Sequence, residues 1–377
     1  MKHKILIIVN EFQNLINFRL PLIRFLQKKG IGIEIICYSK KNIKKNKHND
    51  LSNIPIHCLK GDSKGTNLLK ELYYFIVLFF LVKKLNPSLI MSFTIKPNIY
   101  SSIISKIQNR KNIISITGLG STYIDNSIYN KINLHLFKFF KNPNINYVFQ
   151  NQDDAEVFRN NNIINEFNNF IIPGSGVDLE IYRKDITFIE KNDLLSFNFL
   201  FIGRLIKHKG IDELYKAALK LLSVSKLNIK FTIIGKFDFN DRYSINYELY
   251  KNISKNSNFE LINFTDQISK YILKSNCVLL TSMREGMPMS LLEASAIGRP
   301  VIASNVPGCK EIVIDNFNGF KYRSGDSFDL FKKMEKLVKL PKEKILQFCD
   351  NAHSHASDKF SSKIINDKYY KIIKNLL

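Results

Sequence analysis

Two glutamates and two cations stand out by their type and spacing. Glu285 and Glu293 lie eight positions apart in Arg284-Glu-Gly-Met-Pro-Met-Ser-Leu-Leu-Glu-Ala294, across a Gly-x-Pro turn. Roughly 80 residues earlier, Phe201-Ile-Gly-Arg-Leu-Ile-Lys-His-Lys-Gly210 carries Arg204 and Lys209 behind Gly203. A guanidinium beside an ammonium suits a diphosphate, because forked N–H donors meet phosphate oxygens in matched geometry. A carboxylate only accepts hydrogen bonds, so it suits the hydroxyl groups of a ribose or a hexose. A basic loop alone is usually just solvated. A basic loop paired with this acid motif reads as a grip for a sugar nucleotide.

The elements around these residues put them at one edge of a sheet. Asn276–Ser282 reads as a short buried strand ending in small polar residues, and Met289–Ile297 as a helix stopped by Gly298. Pro300-Val-Ile-Ala303 begins another strand. Glu285 then sits at a strand tip and Glu293 about one turn into the following helix. Gly203 lets the chain turn after a strand Phe197–Ile202, and a helix begins near Gly210 with its backbone donors pointing outward. In an open α/β sheet, the carboxyl ends of the strands form the ligand crevice.

The whole chain alternates in this way. Strands are predicted at Ile5–Val9, Ile33–Tyr38, Ile54–Leu59, Leu89–Phe93, Asn112–Thr117, Tyr147–Gln150 and Asn169–Ile172, with helices at Phe18–Lys29 and Leu68–Leu85. A second run holds strands at Lys230–Ile234 and Phe259–Asn263, helices at Ile211–Leu222 and Gln267–Lys274, and a helical tail from Lys342 to Leu377. Asn17 is the expected cap of the first helix, after a loop Asn10–Asn17. Residues 40–50, rich in lysine and asparagine, read as a solvated loop. The fold class is α/β, with two doubly wound, Rossmann-like domains facing across a cleft. Pro173-Gly-Ser-Gly-Val-Asp178 marks the boundary. The expected division is an N-terminal domain 1–178, a linker 179–196, a C-terminal domain 197–355, and a C-terminal helix 356–377 that can cross back to the first domain.

Composition narrows the partners. The 377 residues are 45% hydrophobic, enough for two real cores. Net charge is +23, and residues 1–150 hold 23 Lys plus Arg against 6 Asp plus Glu, a net +17. Nucleotide bias toward AT enriches lysine everywhere, but it does not deplete acids in one half alone. An anionic partner therefore faces the N-terminal half. No zinc-finger spacing, RNP motif or basic zipper helix points to nucleic acid. An anionic membrane surface is the better partner. Tyr73, Tyr74, Phe75, Phe79 and Phe80 followed by Lys83 and Lys84 suit an interfacial helix, although a helix apolar all round is also a common core helix. The apolar run Leu72–Val82 is too short to span a bilayer, and the basic start leads into only five apolar residues, not a secretory signal. The five scattered cysteines read as reduced, and the expected location is cytoplasmic, peripheral to the inner face of the plasma membrane. No metal is expected: Asp153-Asp154 reads as a helix cap and His353-x-His355 as part of a polar tail.

With these motifs in hand, the chain resembles the family 4 glycosyltransferases of the GT-B fold. The resemblance rests on Gly203-Arg204, Lys209-Gly210, Glu285-Gly286-x-Pro288, Leu292-Glu293-Ala294, Gly298-x-Pro300-Val301, Gly308, Glu311 and Asn318-Gly319. It implies retaining, metal-independent transfer of a sugar from a nucleotide diphospho-sugar, with a UDP-sugar as donor substrate and no cofactor. Arg204 and Lys209 would hold the diphosphate and offset the charge growing on the departing nucleotide. Glu285 would contact hydroxyls of the donor sugar near the reacting carbon, and Glu293 the ribose hydroxyls. The implied catalytic residues are Arg204, Lys209 and Glu285. The implied donor site adds Gly203, Gly286, Met287, Pro288, Met289, Ser290, Leu292 and Glu293.

The N-terminal half departs from the common family pattern: the loop after the first strand has no glycine, and Thr117-Gly-Leu-Gly-Ser121 stands where a histidine is frequent. Phe18-Arg-Leu-Pro-Leu22, Ser92-Phe-Thr-Ile-Lys-Pro-Asn98, Thr117–Tyr123 and Pro173–Asp178 are instead similar to bacterial enzymes that extend lipid-linked oligosaccharides in O-antigen or capsule assembly. The nearest type is an α-1,3-N-acetylgalactosaminyltransferase acting on undecaprenyl-diphosphate-linked sugar. The expected acceptor is thus a lipid-linked saccharide, with Arg19, Lys96, Gly118 and Gly120 as candidate contacts and an N-acetylhexosamine or hexose as the transferred sugar. The competing readings are a UDP-N-acetylglucosamine 2-epimerase-like isomerase and a non-catalytic sugar-nucleotide-binding protein. The first lacks this acid pair, and the second would not need all four charged residues intact.

Overall fold

The computed structural model describes residues 3–39, 51, 53–60, 67–125, 127–191 and 196–377. The lysine-rich loop 40–50 and part of the expected linker, 192–195, lie outside the described residues.

The chain divides into two compact units, residues 1–175 with 365–377, and residues 176–364. The first unit contains β1 (Lys4–Val9), β2 (Gly32–Ser39), β3 (Ile56–Lys60), β4 (Leu89–Phe93), β5 (Asn112–Ile116), β6 (Ile145–Phe149) and β7 (Asn169–Ile171). They form one parallel sheet in the order β3-β2-β1-β4-β5-β6-β7. The second unit contains β8 (Ser196–Ile202), β9 (Asn228–Ile234), β10 (Phe259–Ile262), β11 (Cys277–Leu280), β12 (Val301–Ser304) and β13 (Gly319–Tyr322). These form a parallel sheet in the order β10-β9-β8-β11-β12-β13. Both are doubly wound, in agreement with the α/β class read from the alternation. The central strands β4, β5, β11 and β12 are buried along their whole length, which is why their sequences are apolar runs rather than alternating patterns.

Four local expectations are corrected. The first helical region is two helices, Phe12–Phe18 and Leu20–Lys28, so most of the expected loop 10–17 is helical. The break falls at Arg19 because Pro21 has no amide proton and its ring crowds the carbonyl four residues back. The tail is likewise two helices, Lys342–Phe360 and Ser362–Leu376, separated at Ser361. The backbone of Val177 bonds to both sides of that break, accepting from Ser362 N at 2.9 Å and donating to Phe360 O at 2.8 Å. The last helix then joins the first unit, with Ile365, Tyr369 and Ile373 in the core beneath β1 and β4. Finally, the cap of helix Gln152–Asn160 is Asn151, whose side chain accepts from Asp154 N, while Asp153 and Asp154 form its first turn. Residues 179–191, expected as linker, belong to the second unit.

Candidate active site

In the second sheet the strand order reverses between β8 and β11. The connections leaving these two neighbours run to opposite faces, so their loops part and leave a crevice at the carboxyl ends. The two chemistry-bearing motifs are these two loops.

The loop after β8 is tied to its neighbour on the β9 side. Gly203 N donates to Ile234 O at 2.9 Å, and Lys207 N to Tyr243 O at 2.8 Å. Arg204 projects into solvent, and Lys209 closes a single 3₁₀ turn, Lys207–Lys209. On its other side the loop is joined to the loop after β11. Thr281 Oγ1 donates to Lys209 O at 2.6 Å, and Met283 N donates to His208 O at 2.9 Å. Gly210 makes this approach possible: its φ is +65°, and a Cβ there would lie 2.1 Å from Thr281 O. A second glycine supports the acid loop from below. Gly308 has φ +82°, and a Cβ would lie 2.7 Å from both Glu285 O and Gly286 O. Glu285 N donates to Pro307 O at 3.1 Å in the same contact.

These backbone contacts bring Lys209 and Glu285 side by side. Their ammonium and carboxylate form an ion pair, with the side chains 20% and 15% exposed. The helix Met289–Ile297 follows, with Pro288 at its cap and no side-chain cap hydrogen bond. A helix N-terminus of this kind suits an anion. Gly298 ends the helix at φ +89°, as its stop position requires. One turn in, Glu293 is half-buried. Burial pushes its carboxyl up to about 7, against which a hydrogen bond from Tyr182 acts. The Tyr182 phenol is pushed above its ordinary value, first by burial and then by the Glu293 carboxylate.

Some candidates have other tasks. Leu292 has no exposed surface and packs in the domain core, so it supports the helix rather than lining a donor site. Met287 and Pro288 are also buried, whereas Met289 and Ser290 are half-exposed. In the first unit, Arg19 is only 3% exposed, not a surface residue. Its guanidinium lies 4.0 Å from the centre of the Phe93 ring and donates to Ser175 Oγ at 3.0 Å. Burial pulls its pKa down to about 10, against which the Tyr369 phenol acts. Lys96 pairs with Glu71 at 2.9 Å, and Tyr100 donates to the same carboxylate. Gly118 and Gly120 both have positive φ in the segment after β5. Thus Lys96, Gly118 and Gly120 follow strand ends of the first sheet, whereas Arg19 sits at the break between the first two helices, and Arg19 and Lys96 are already engaged by the protein. Of the two tail histidines, His353 Nδ1 contacts Ala296 O at 2.6 Å and His355 Nε2 contacts Glu311 O at 3.1 Å.

Three residues escaped the sequence reading. Tyr182 sits in the stretch read as linker, with nothing local to tie it to Glu293. Thr281 had a partial signal, as a small polar residue ending a strand. Arg299, the unread position in Gly298-x-Pro300, is fully buried and donates to the carbonyls of Ile272 (3.1 Å), Asp185 (2.7 Å) and Leu273 (2.9 Å). It fastens the end of the Glu293 helix to its surroundings.

The second unit is thus a doubly wound α/β fold whose cationic and acidic loops meet at the switch point, the place where sheets of this kind hold ligands. Comparison with known proteins agrees and sharpens this. Residues 183–355 match the model of glycosyl transferases group 1, and residues 4–152 match glycosyl transferase 4-like. The chain is 26% identical to the N,N'-diacetylbacillosaminyl-diphospho-undecaprenol alpha-1,3-N-acetylgalactosaminyltransferase of Campylobacter jejuni, over 96% of both chains. It is 27% identical to the capsular polysaccharide biosynthesis glycosyltransferase CapM of Staphylococcus aureus, over 92% of this chain and 91% of that one. Its fold matches Anabaena Alr3699/HepE in complex with UDP and glucose, with a TM-score of 0.79 at 17% identity over 99% of this chain and 100% of the other. The chain belongs to the group 1, family 4-like glycosyltransferases, and it is a glycosyltransferase of the GT-B fold.

Proposed function

We propose that this enzyme transfers a sugar from a UDP-sugar to an undecaprenyl-diphosphate-linked saccharide, with retention and without a metal, during capsule or O-antigen assembly. The observation that carries the donor half is the Lys209–Glu285 pair, held at the switch point by the bonds between the β8 and β11 loops. In this reading the diphosphate draws Lys209 and the exposed Arg204, which offset the charge developing on the leaving nucleotide. Glu285 is then available to donor-sugar hydroxyls next to the ammonium. Ionised Glu293 accepts from the ribose, and Tyr182 holds its carboxylate in place. The helix amides at Met289 and Ser290 face the phosphate or the sugar. Same-face attack, with the donor phosphate taking the acceptor proton, requires no protein nucleophile. A trapped glycosyl adduct on Glu285 in mass spectrometry would overturn that step.

The acceptor half is supported by the relative from Campylobacter, whose substrate is diphospho-undecaprenol-linked, over nearly the full length of both chains. The net +17 charge of residues 1–150 fits a diphosphate-bearing lipid at an anionic leaflet, with peripheral association on the cytoplasmic side. The test is a donor screen against undecaprenyl-diphosphate-linked mono- and disaccharides. Extension of the lipid-linked sugar with release of UDP is expected. UDP release without any glycosylated acceptor would sink the acceptor reading, and an epimerised nucleotide sugar would replace it with the isomerase.

A further inference from the structure

The helix Leu68–Leu85 does not behave as a core helix. Leu78 and Val82 are fully buried against the first sheet, but Leu69, Leu72, Tyr73, Ile76 and Phe80 are 44–80% exposed. Their spacing of three and four residues places them on one stripe, which exposed Lys83 and Lys84 continue. The same pattern recurs three helices on. Helix Ile128–Phe140 exposes Ile128, Ile132 and Phe139 at 47–69%, flanked by exposed Lys131 and Lys138.

Helix Ile95–Gln108 bridges the two. Gln108 Nε2 donates to Phe79 O at 2.9 Å on one side, and Lys106 Nζ donates to Phe139 O at 2.8 Å on the other. Ile107, between these contacts, is 60% exposed. The apolar stripes therefore belong to one helical layer of the first unit. Among the described residues no helix is long and apolar enough to cross a membrane. An exposed apolar layer rimmed by lysines, on a unit of strong positive charge, matches a bilayer interface in both its terms: rings and aliphatic chains for the acyl boundary, ammonium groups for anionic headgroups.

We infer that this three-helix face, from Leu69 to Phe139, is the surface by which the enzyme docks on an anionic lipid leaflet. The inference rests on the lipid-linked acceptor proposed above, which places the substrate at such a surface. It needs no covalent anchor: several shallow apolar side chains and lysines act together, and salt weakens the electrostatic part.

The experiment uses the full chain and vesicles free of acceptor lipid, either phosphatidylcholine alone or with phosphatidylglycerol. Co-sedimentation is expected with the anionic vesicles and is expected to fall with salt. Y73S with F80S, and separately I132S with F139S, should each lower partitioning about tenfold or more. K83A with K84A should lower it about fivefold per lysine on anionic vesicles only. All these side chains are exposed, so the melting temperature should not change. Turnover on a short-chain, water-soluble acceptor should also be kept, while turnover on vesicle-embedded acceptor falls. Vesicle binding that is absent in the parent, or unchanged in all three variants, overturns the inference. So does conversion of a dimer to a monomer by the same substitutions without any change in vesicle binding, which would make the face a self-association surface. Normal vesicle docking together with inactivity on every lipid-linked acceptor would sink the proposed function while leaving this surface in place.

Discussion

Glu293→Gln offers the sharpest test of the donor site, because burial couples its charge to both stability and binding. The carboxyl is raised from 4.5 to about 7, chiefly by burial and in spite of the hydrogen bond from Tyr182. The folded chain therefore holds this proton more tightly than the unfolded chain does. The stabilisation is fully present below about pH 4.5, declines as pH rises, and is gone just above 7. A shift of that size corresponds to about 3 kcal/mol. Glutamine keeps the shape and carries no charge, so it removes this dependence. Scanning calorimetry of both proteins from pH 4.5 to 8 should show the variant gaining on the parent by about 3 kcal/mol across the window. For a unit of this size that is a relative rise in Tm on the order of 5–10 °C.

Binding should move in the opposite sense. Ribose hydroxyls donate to the ionised carboxylate, so affinity for an intact UDP-sugar should strengthen in the parent as pH rises through about 7. It should be weaker and flat in the variant. An intact UDP-sugar is needed because a terminal phosphate itself titrates near pH 6. Parallel Tm curves for the two proteins would refute the buried-charge argument. A flat binding profile in the parent would refute the ribose role.

Other outcomes follow from the same geometry. Arg204→Ala and Lys209→Ala should each reduce turnover on the order of 100-fold or more, and near-normal steady-state rates in both would remove the diphosphate site. Gly210→Ala should destabilise the second unit severely, because it combines φ +65° with a Cβ placed 2.1 Å from a carbonyl oxygen; denaturant melts of the isolated variant would show it. Arg299→Met should cost on the order of 1–3 kcal/mol in such melts, since it takes the guanidinium donor from the Asp185 and Leu273 carbonyls, while Ile272 O keeps its bonds from Ser275. A melt within about 0.5 kcal/mol of the parent would show that these bonds contribute little.

Much of this site was legible before any coordinates, for a physical reason. A switch-point loop must turn at a strand end, expose charge and start a helix, and each of these demands leaves a local mark. Gly203 and Gly210 bracket one loop, and Gly286-x-Pro288 and Gly298 bracket the other loop and its helix. Less legible was anything set by an interruption. Residues 10–17 are expected as a loop before one helix, whereas a separate helix Phe12–Phe18 precedes the break at Arg19, and Pro21 stands in the first turn of the second helix. The tail helix showed no proline or glycine at Ser361, where contacts to the distant Val177 set the break.

The sequence by itself determined the alternating class, the two loops that carry charge and their kinship, because backbone preference and local polarity depend on near neighbours. It also determined the excess of positive charge in the first half. Only the tertiary structure decided how those charges are used. It set Lys209 against Glu285, raised Glu293 by burying it beside Tyr182, and engaged Arg19 and Lys96 with Ser175 and Glu71. It also decided that an apolar helix which periodicity could have assigned to a core shows half its surface to solvent. Desolvation and pairing arise from residues far apart in the chain, so no local pattern records them.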